Sequence, residues 1–308
     1  MPAPHNRTLT LTEAERTQLR PALTLIEQAE RERIWTDRII WGDSIRALEA
    51  LPDGWAHLVI ADPPYNLTRR YAGTVFRAGS RNKYREFLQS WLPLLCRKLR
   101  SNGSLYLCGD WHMGSLLQEA LEGELTILNR ITWQREKGRG ARQNWKNGME
   151  DIWFAVKNPK DYFFDLEAVK MRRVVRAPYH QDGLPKDWHK EEDGTPVRMT
   201  CPSNFWDDIS VPFWSMPENT SHPTQKPEKL IAKLVLASSR KGDMVLDPFM
   251  GSGTTAVVAR KLGRHFCGIE REEEYCLLAA KRLQMTESDP TIQGYADGVF
   301  WERNSHPL

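Results

Sequence analysis

Residues 244–256 read MVLDPFMGSGTTA and predict a strand, a glycine-rich turn and the start of a helix. The apolar run ends at Asp247, and Gly251 and Gly253 permit a tight turn and the close approach of a ligand to the backbone. The following helix would present unpaired N–H groups at its N-terminus, beside that turn. This order of elements is typical of a nucleotide-binding crossover in a parallel α/β sheet.

A second apolar run, 265–269, ends at Glu270, nineteen residues after Gly251. At this spacing a carboxylate meets ribose hydroxyls in nucleotide-binding crossovers. The pattern alone leaves three alternatives open: a nicotinamide dinucleotide, S-adenosylmethionine, or a merely structural glycine turn. Asp247 favours the second, because a carboxylate at this strand tip would repel a pyrophosphate but attract the α-ammonium or sulfonium of S-adenosylmethionine.

Another strand-like run, 58–61, is followed by Asp62, Pro63, Pro64 and Tyr65. These residues suit alkylation of an exocyclic amine on a base, because its lone pair is delocalised into the ring and must be localised by acceptors. Asp62 would accept one N–H and the Pro63 carbonyl the other, with both prolines fixing that carbonyl. Tyr65 would offer its ring, rather than its hydroxyl, as a stacking face for a base turned out of a duplex. The alternative is an ordinary strand end followed by a Pro-Pro turn.

Together the two motifs resemble the amino-methyltransferases of DNA, the N6-adenine and N4-cytosine group. The DPPY motif precedes the glycine motif, as in the beta subgroup, where catalytic, target-recognition and cofactor regions follow in that order. The resemblance runs from about residue 39 to residue 283 and includes Gly42-Asp43 and the HPTQKP segment, 222–227. It implies a doubly wound, mostly parallel α/β sheet of the Rossmann-like methyltransferase type with a smaller target-recognition insertion. It also implies S-adenosyl-L-methionine as the cofactor.

The resemblance carries a set of cofactor-binding residues over to this chain. The Gly42-Asp43 carboxylate would lie near the adenosine, and the HPTQKP segment would lie beside the methionine end. The role of Glu270 has independent support from its spacing, whereas Asp43 has a helix N-cap as an equal alternative, since an apolar helix follows it. The full set is Asp43, His222, Thr224, Lys226, Asp247, Phe249, Gly251, Ser252, Gly253, Thr254 and Glu270.

The pattern of runs predicts how the chain is organised. Its four parts are an N-terminal helical extension 1–35, a catalytic half 36–164, a target-recognition insertion 165–221 and a cofactor-binding half 222–308. Both halves would contribute strands to one sheet, so that the strand tips carrying Asp62 and Asp247 face one crevice. The runs 126–134 and 150–157 are too close for a crossover helix and predict a hairpin.

The extension and the insertion carry weaker signals. The insertion holds several prolines, charges of both signs and scattered aromatic residues, which fits a recognition region or, alternatively, a long surface excursion with an oligomer contact. In the extension, Thr12 and Glu15 have capping-box spacing, and Leu19, Leu23 and Ile26 form an apolar stripe. This pattern predicts a short helix packed on the body or on a partner chain.

Basic residues cluster on both sides of the predicted crevice, although the net charge is only +3. Residues 66–85 hold six basic side chains and no acidic one, and 130–146 hold six basic side chains against Glu136. A charge run is usually a solvated face, but the glycines and aromatic residues between these charges favour mobile loops that close on phosphates. The candidate DNA-binding residues are Arg69, Arg70, Arg77, Arg81, Lys137, Arg139, Arg142 and Lys146.

Composition limits the class of protein. At 308 residues with 40% hydrophobic content, the chain can bury the core of one large α/β domain. It has no run of eighteen apolar residues and no apolar N-terminal h-region, so we expect a cytoplasmic chain with no membrane partner. The five cysteines lack metal-ligand or paired spacing, so we expect neither a metal nor a disulfide. In the family that methylates cytosine at carbon 5, the cysteine nucleophile follows a proline. No cysteine of this chain follows a proline, which argues against that chemistry.

The sequence therefore predicts methyl transfer from S-adenosylmethionine to the exocyclic amine of a flipped base in double-stranded DNA. Adenine N6 is favoured, because aspartate at the first position of DPPY is commoner for adenine in the family that this chain resembles; cytosine N4 is the alternative. Two other classes remain open, a nicotinamide-dependent oxidoreductase and an inactive nucleic-acid-binding module. A homodimer and a cognate restriction endonuclease on a separate chain are both compatible with the sequence.

Overall fold

The computed structural model of the 308-residue chain describes residues 6–71, 74–135, 143, 145–175 and 179–301. The helices of this part are α1 (Glu13–Leu19), α2 (Ile26–Glu32), α3 (Ser44–Ala50), α4 (Arg81–Lys98), α5 (Gly114–Glu122), α6 (Glu228–Ser238), α7 (Thr254–Lys261) and α8 (Glu273–Met285). Short 3-10 turns lie at Arg20–Ala22 and Glu167–Val169.

The strands are short except in the centre of the chain. They are β1 (Leu23–Leu25), β2 (Arg38–Trp41), β3 (Ala56–Ala61), β4 (Arg69–Tyr71), β5 (Thr74–Phe76), β6 (Leu99–Gly109), β7 (Thr126–Gln134), β8 (Met149–Val156), β9 (Met171–Val174), β10 (His180–Gln181), β11 (Leu184–Pro185), β12 (His189–Lys190), β13 (Pro196–Thr200), β14 (Phe205–Trp206), β15 (Met244–Asp247), β16 (His265–Glu270), β17 (Tyr295–Ala296) and β18 (Val299–Phe300).

Nine of these strands form the central sheet, in the order β1-β2-β16-β15-β3-β6-β8-β7-β14. Neighbours run parallel except around β8, which is antiparallel to both β6 and β7. Helices α6, α7 and α8 pack on one face, and α2, α3, α4 and α5 pack on the other. The predicted doubly wound, mostly parallel α/β sheet is confirmed, and the β7–β8 hairpin is the one expected from the short spacing of its two runs.

Strand β3 shows why a continuous apolar run becomes a central strand. Leu58 and Ile60 contribute to the core on one face of the sheet, while Val59 and Ala61 contribute to the core on the other. A strand covered by helices on both faces has no polar side, so its sequence does not alternate.

The C-terminal half of the chain enters the middle of this sheet. Strand β15 pairs with β3 on one side and with β16 on the other, and Leu246 lies opposite both Val59 and Cys267. The three strands are parallel, so their carboxyl ends lie at the same edge. Asp62 and Asp247, far apart in sequence, therefore occupy neighbouring strand tips.

The N-terminal extension differs from the expected stretch of helix. The Thr12–Glu15 capping box is present at the start of α1, but the helix ends at Leu19 and Leu23–Leu25 becomes the edge strand beside β2. Pro21 lies at the break and has no N–H to continue a helix, whereas an extended backbone can use the open edge of β2. The extension is thus part of the central sheet and not a separate element.

The insertion builds a second, smaller sheet together with the C-terminal strands. Its order is β12-β13-β9-β18-β17, and Phe300 pairs with Met171. Residues 295–300, which the sequence assigned to the cofactor-binding half 222–308, thus pair within the sheet of the insertion. Strand β14 also departs from the insertion and extends the edge of the central sheet beside β7.

A buried ionic contact attaches the insertion to helix α6. Asp208, just after β14, lies 2.8 Å from the ammonium of Lys229 and 3.0 Å from that of Lys233. All three side chains are buried. Within the described residues, no helix is long and apolar enough to cross a membrane.

We expect Asp208→Asn to lower the free energy of unfolding by about 3–5 kcal/mol, because it removes the carboxylate charge that both buried ammonium groups contact. Asp207→Asn is the matched control, since the adjacent carboxylate is exposed and its loss should change stability by no more than about 0.5 kcal/mol. Equilibrium denaturation in urea measures both. Equal effects of the two variants would contradict an anchoring role for Asp208.

Candidate active site

A cavity of about 310 Å³ opens at the carboxyl ends of β3, β15 and β16. It brings together the DPPY residues and all but one of the residues predicted to hold a cofactor. Those in its lining are Asp43, Asp62, Pro63, Pro64, Tyr65, His222, Thr224, Lys226, Asp247, Phe249, Gly251, Ser252, Thr254 and Glu270. The exception is Gly253, which lies behind the cavity as the N-cap of α7.

Asp62 already has a hydrogen-bond partner at each carboxylate oxygen. The Tyr65 hydroxyl donates to Oδ1 at 2.8 Å, and the Lys226 ammonium donates to Oδ2 at 2.5 Å. Lys226 is buried, and its ammonium also lies 3.3 Å from Glu150 Oε2. Burial works against the ammonium, but the carboxylates of Asp62 and Glu150 outweigh that effect and raise the pKa of Lys226 above its ordinary value.

Tyr65 is held by both its ring and its hydroxyl. The Lys226 ammonium lies 5.5 Å from the ring centroid, while the hydroxyl donates to Asp62 and lies 3.4 Å from Glu150 Oε2. Burial and the neighbouring Asp62 raise the pKa of the Tyr65 hydroxyl well above its ordinary value, so it stays protonated as a donor. The sequence predicted a role for the ring alone, whereas this contact places the hydroxyl where it orients the carboxylate of Asp62.

The turn formed by the prolines of DPPY is hydrogen-bonded to helix α4. The Tyr84 hydroxyl donates to the carbonyl of Pro64 at 3.3 Å, and Pro63 is buried. This contact fixes the turn that follows β3 and, with it, the direction of the Pro63 carbonyl.

The glycine loop is fastened to the carboxylate of Glu270. The N–H of Gly251 donates to Oε2 at 2.9 Å, and the N–H of Glu272 donates to Oε1 at 2.8 Å. Burial raises the pKa of Glu270 above its ordinary value despite these two donors. Each oxygen keeps acceptor capacity toward the cavity, as the predicted contact with ribose hydroxyls requires.

Asp247 is buried at the tip of β15. The N–H of Phe249 donates to Oδ1 at 3.0 Å, but burial dominates and raises the pKa of Asp247 to about 7. A cationic group placed beside it would favour the carboxylate form and gain a charge-assisted contact. Among the described residues, no cluster of three His, Cys, Asp or Glu side chains could hold a metal ion.

The HPTQKP segment packs directly on the glycine loop. His222 fills the space beside Gly251, where an added Cβ would lie 2.9 Å from its Nε2, and its ring meets Tyr275 edge to face. Burial, followed by the charge of Lys226, lowers the pKa of His222 to about 3, so the imidazole is neutral. The Thr254 hydroxyl donates to the Lys226 carbonyl at 3.0 Å and joins the two segments.

Lys226 and Asp43 occupy positions that the resemblance alone does not describe. The Lys226 ammonium contacts Asp62, Tyr65 and Glu150, so it belongs to the DPPY side of the cavity. Asp43 is the N-cap of α3, accepting from the N–H groups of Ile45 and Arg46, while it also lines the cavity. The N-cap alternative is thus realised without removing Asp43 from the site.

Several residues of the site carry no signal in the sequence. Glu150, buried near the start of β8, reaches the cavity through its contacts with Lys226 and Tyr65. An aromatic wall also faces Phe249, whose ring lies 4.9 Å from that of Trp91 at right angles. Only tertiary packing brings these residues to DPPY, because they belong to other elements of the sheet and its helices.

The basic residues after DPPY lie outside the cavity lining. Arg69 and Arg70 belong to the β4–β5 hairpin, a pair of strands that the sequence did not predict, while Val75 and Phe76 of the same hairpin line the cavity. Arg77, Arg81 and Lys146 are exposed, and Arg81 donates to the Ser115 hydroxyl. Lys137, Arg139 and Arg142 lie outside the described residues.

Comparison with known proteins gives close matches over most of the chain. A family model described as DNA methylase matches residues 56–281. Type II methyltransferase M.HpaI of Haemophilus parainfluenzae is 34% identical over 248 residues, which cover 80% of this chain and 74% of that protein. The DNA adenine methyltransferase YhdJ of Escherichia coli K12 is 33% identical over 248 residues, covering 80% of this chain and 82% of YhdJ.

Solved structures share the fold at lower sequence identity. The cytosine-N4-specific PvuII DNA methyltransferase superimposes with a TM-score of 0.60 at 18% identity, over 80% of this chain and 85% of that chain. The M1.HpyAVI–SAM complex gives a TM-score of 0.52 at 24% identity, over 80% of this chain and 98% of that chain. These likenesses show that the overall fold is shared with solved structures.

We expect Gly253→Ala to lower the free energy of unfolding by about 2–4 kcal/mol. Gly253 has φ +82°, and an added Cβ would lie 2.5 Å from Cβ of Ala279 on α8, so backbone strain and overpacking combine. Gly183→Ala is the control, because φ is +78° there but no atom lies within 4 Å of the added Cβ. It should lose only about 1–2 kcal/mol in the same denaturation experiment. Equal losses would show that α8 does not restrict the glycine loop.

Proposed function

The chain belongs to the DNA methylase family, and we propose that it transfers a methyl group from S-adenosylmethionine to adenine N6 in double-stranded DNA. The observation that carries this proposal is that Asp62 and the glycine loop share one cavity. The cavity thus holds an acceptor for an exocyclic amine next to a loop of the nucleotide-binding type, so that a base and S-adenosylmethionine could bind side by side. Cytosine N4 is the second candidate, since the same acceptors suit its amine.

The cofactor-facing side of the cavity has suitable donors and acceptors for S-adenosylmethionine. Glu270 accepts from ribose hydroxyls, as it already accepts from the backbone of Gly251. Asp247, with its pKa near 7, becomes the carboxylate opposite a cationic group of the cofactor. Phe249 and the neutral ring of His222, which also line the cavity, would supply apolar contacts to the bound cofactor. Bound S-adenosylmethionine supplies a methyl carbon on a sulfonium, which leaves as a neutral thioether.

On the other side of the cavity, Asp62 and the Pro63 carbonyl accept the two N–H groups of the amine. This arrangement localises the nitrogen lone pair toward the methyl carbon before the reaction, so that orientation is established on binding. An amine nitrogen that gains a methyl group becomes positively charged and must release one proton, which Asp62 is placed to accept. The ring of Tyr65 stacks on the extruded base.

Adenine is the base we propose on two grounds. The tetrapeptide begins with aspartate at Asp62, and a relative with 33% identity is named a DNA adenine methyltransferase. The PvuII enzyme that shares the fold is named cytosine-N4-specific, but at 18% identity it bears on the fold alone. Membership of the DNA methylase family removes the nicotinamide-dependent alternative, which also left DPPY unexplained.

Mass spectrometry of nucleosides tests the reaction and the base together. DNA of mixed sequence, incubated with the chain and S-adenosylmethionine and then digested, should yield N6-methyldeoxyadenosine. If N4-methyldeoxycytidine appeared instead, the methylated base would be cytosine, the second candidate. The absence of any methylated nucleoside would overturn the proposed function.

In the same assay, Asp62→Ala should reduce the single-turnover rate by at least about a hundredfold, because the amine loses its acceptor. Its affinity for S-adenosylhomocysteine should stay within about threefold of the wild type, since Asp62 acts on the amine side of the cavity. Asp62→Asn, which keeps the shape and removes the charge, separates acceptor strength from packing. A rate above about a third of the wild-type rate in Asp62→Ala would contradict the assignment.

The β4–β5 hairpin and its flanks should hold the DNA backbone. Changing Arg69, Arg70, Arg77 and Arg81 together to Gln should weaken binding to all duplexes. It should also flatten the slope of log affinity against log salt by up to about 0.9 for each lost phosphate contact. Base discrimination should survive, because we propose that the insertion reads the sequence.

The matched control changes Arg38, Arg97, Arg100 and Arg240 to Gln. These four residues are exposed but lie near the amino ends of β2, β6 and β15, at the opposite edge of the sheet. This variant removes the same charge and should leave the salt slope unchanged. Equal slopes of log affinity against log salt in the two variants would show that the duplex is bound elsewhere.

A further inference from the structure

The Lys226 ammonium lies between two carboxylates that come from different strands. It is 2.5 Å from Asp62 Oδ2, after β3, and 3.3 Å from Glu150 Oε2, on β8. The Tyr65 hydroxyl shows the same asymmetry, at 2.8 Å from Asp62 Oδ1 and 3.4 Å from Glu150 Oε2. Both donors therefore favour Asp62 in this structure, with Glu150 as the more distant acceptor.

Glu150 is fixed so that one oxygen stays directed at this pair. Its Oε1 accepts from Arg135, which follows β7, while Oε2 faces Lys226 and Tyr65. The side chain of Glu150 is 3% exposed, and Arg135 also lies over the ring of Trp133. A buried carboxylate anchored through one oxygen is a rigid acceptor at the other.

The contacts of Asp62 conflict with its task toward a base. An amine that donates to Asp62 Oδ2 must share that oxygen with an ammonium, which is the stronger donor because it is charged. The ammonium also draws electron density from the carboxylate and places positive charge beside a nitrogen that becomes positive during methyl transfer. Lys226 cannot simply leave, because a buried ammonium needs a counter-charge.

We propose that Lys226 exchanges partners when the base enters, moving from Asp62 to Glu150, and that Glu150 is the positioning residue that makes this exchange possible. The proposal rests on the proposed function, since the amine of the base is what displaces the ammonium. Glu150 touches neither the base nor the cofactor. It acts by taking the ammonium, so that Asp62 Oδ2 turns to the amine while the cavity keeps its charge balance.

Rate measurements on Glu150→Gln, Lys226→Met and the double variant test the exchange. In Glu150→Gln the ammonium has Asp62 as its sole carboxylate, so the single-turnover rate at saturating S-adenosylmethionine should fall by at least about tenfold. In the double variant the competing ammonium is absent, so its single-turnover rate should be at least about threefold higher than that of Glu150→Gln. A residue needed only for folding would give the opposite, a double variant slower than either single one.

Asp151→Asn, alone and with Lys226→Met, is the matched control. Asp151 is the next residue on β8, is equally buried and accepts from the Thr132 hydroxyl at 2.7 Å on the other side of the strand. Any fall in the single-turnover rate of Asp151→Asn should not be relieved by adding Lys226→Met. Thermal unfolding and the affinity for S-adenosylhomocysteine, measured for every variant, show that each one folds and binds the cofactor product.

The outcomes separate the exchange from the proposed function. A wild-type chain that methylates no DNA would overturn both. An active wild type with an unimpaired Glu150→Gln, or with a Glu150→Gln loss that Lys226→Met does not relieve, would overturn the exchange alone. Relief specific to Glu150→Gln would establish it.

Discussion

The parallel pairing of β3 with β15 is the constraint on which the site depends. DPPY lies in the first quarter of the chain and the glycine loop in the last, and neither can work without the other. Because Leu246 lies opposite Val59 within one sheet, the carboxyl ends of the two strands meet at one edge. The meeting of DPPY and the glycine loop follows from that register, and a slip by one residue would exchange the core-facing sides of a strand that is buried on both faces.

The cavity combines several carboxylates, most of them buried, with few cations. The carboxylates that line or border it are those of Asp62, Glu150, Asp247 and Glu270. The Lys226 ammonium lines the same cavity and contacts Asp62 of the DPPY motif. In such surroundings burial raises the pKa of Asp247 to about 7 and that of Glu270 above its ordinary value. A cofactor that carries positive charge relieves this condition, while a pyrophosphate would make it worse.

The two sides of the cavity are also joined mechanically. Arg282 of α8 donates to the Ser252 carbonyl and to the Thr254 hydroxyl, and that hydroxyl donates to the carbonyl of Lys226. The glycine loop, helix α8 and the segment that carries the Lys226 ammonium are therefore one hydrogen-bonded unit. The position of the ammonium at Asp62 is tied through this unit to the loop that faces the cofactor.

The sequence by itself determined the fold class, the strand tips with Asp62 and Asp247, and the glycine loop, because apolar runs and turn residues are local properties of the chain. It could not determine that Leu23–Leu25 forms an edge strand of the central sheet instead of continuing a helix. Nor could it determine that residues 295–300 complete the sheet of the insertion, since such pairings depend on partners distant in sequence. The same holds for Glu150 and for the hydroxyl of Tyr65. A buried carboxylate or hydroxyl acquires its role from the charges placed around it, and only the tertiary structure brings those charges within 3–4 Å.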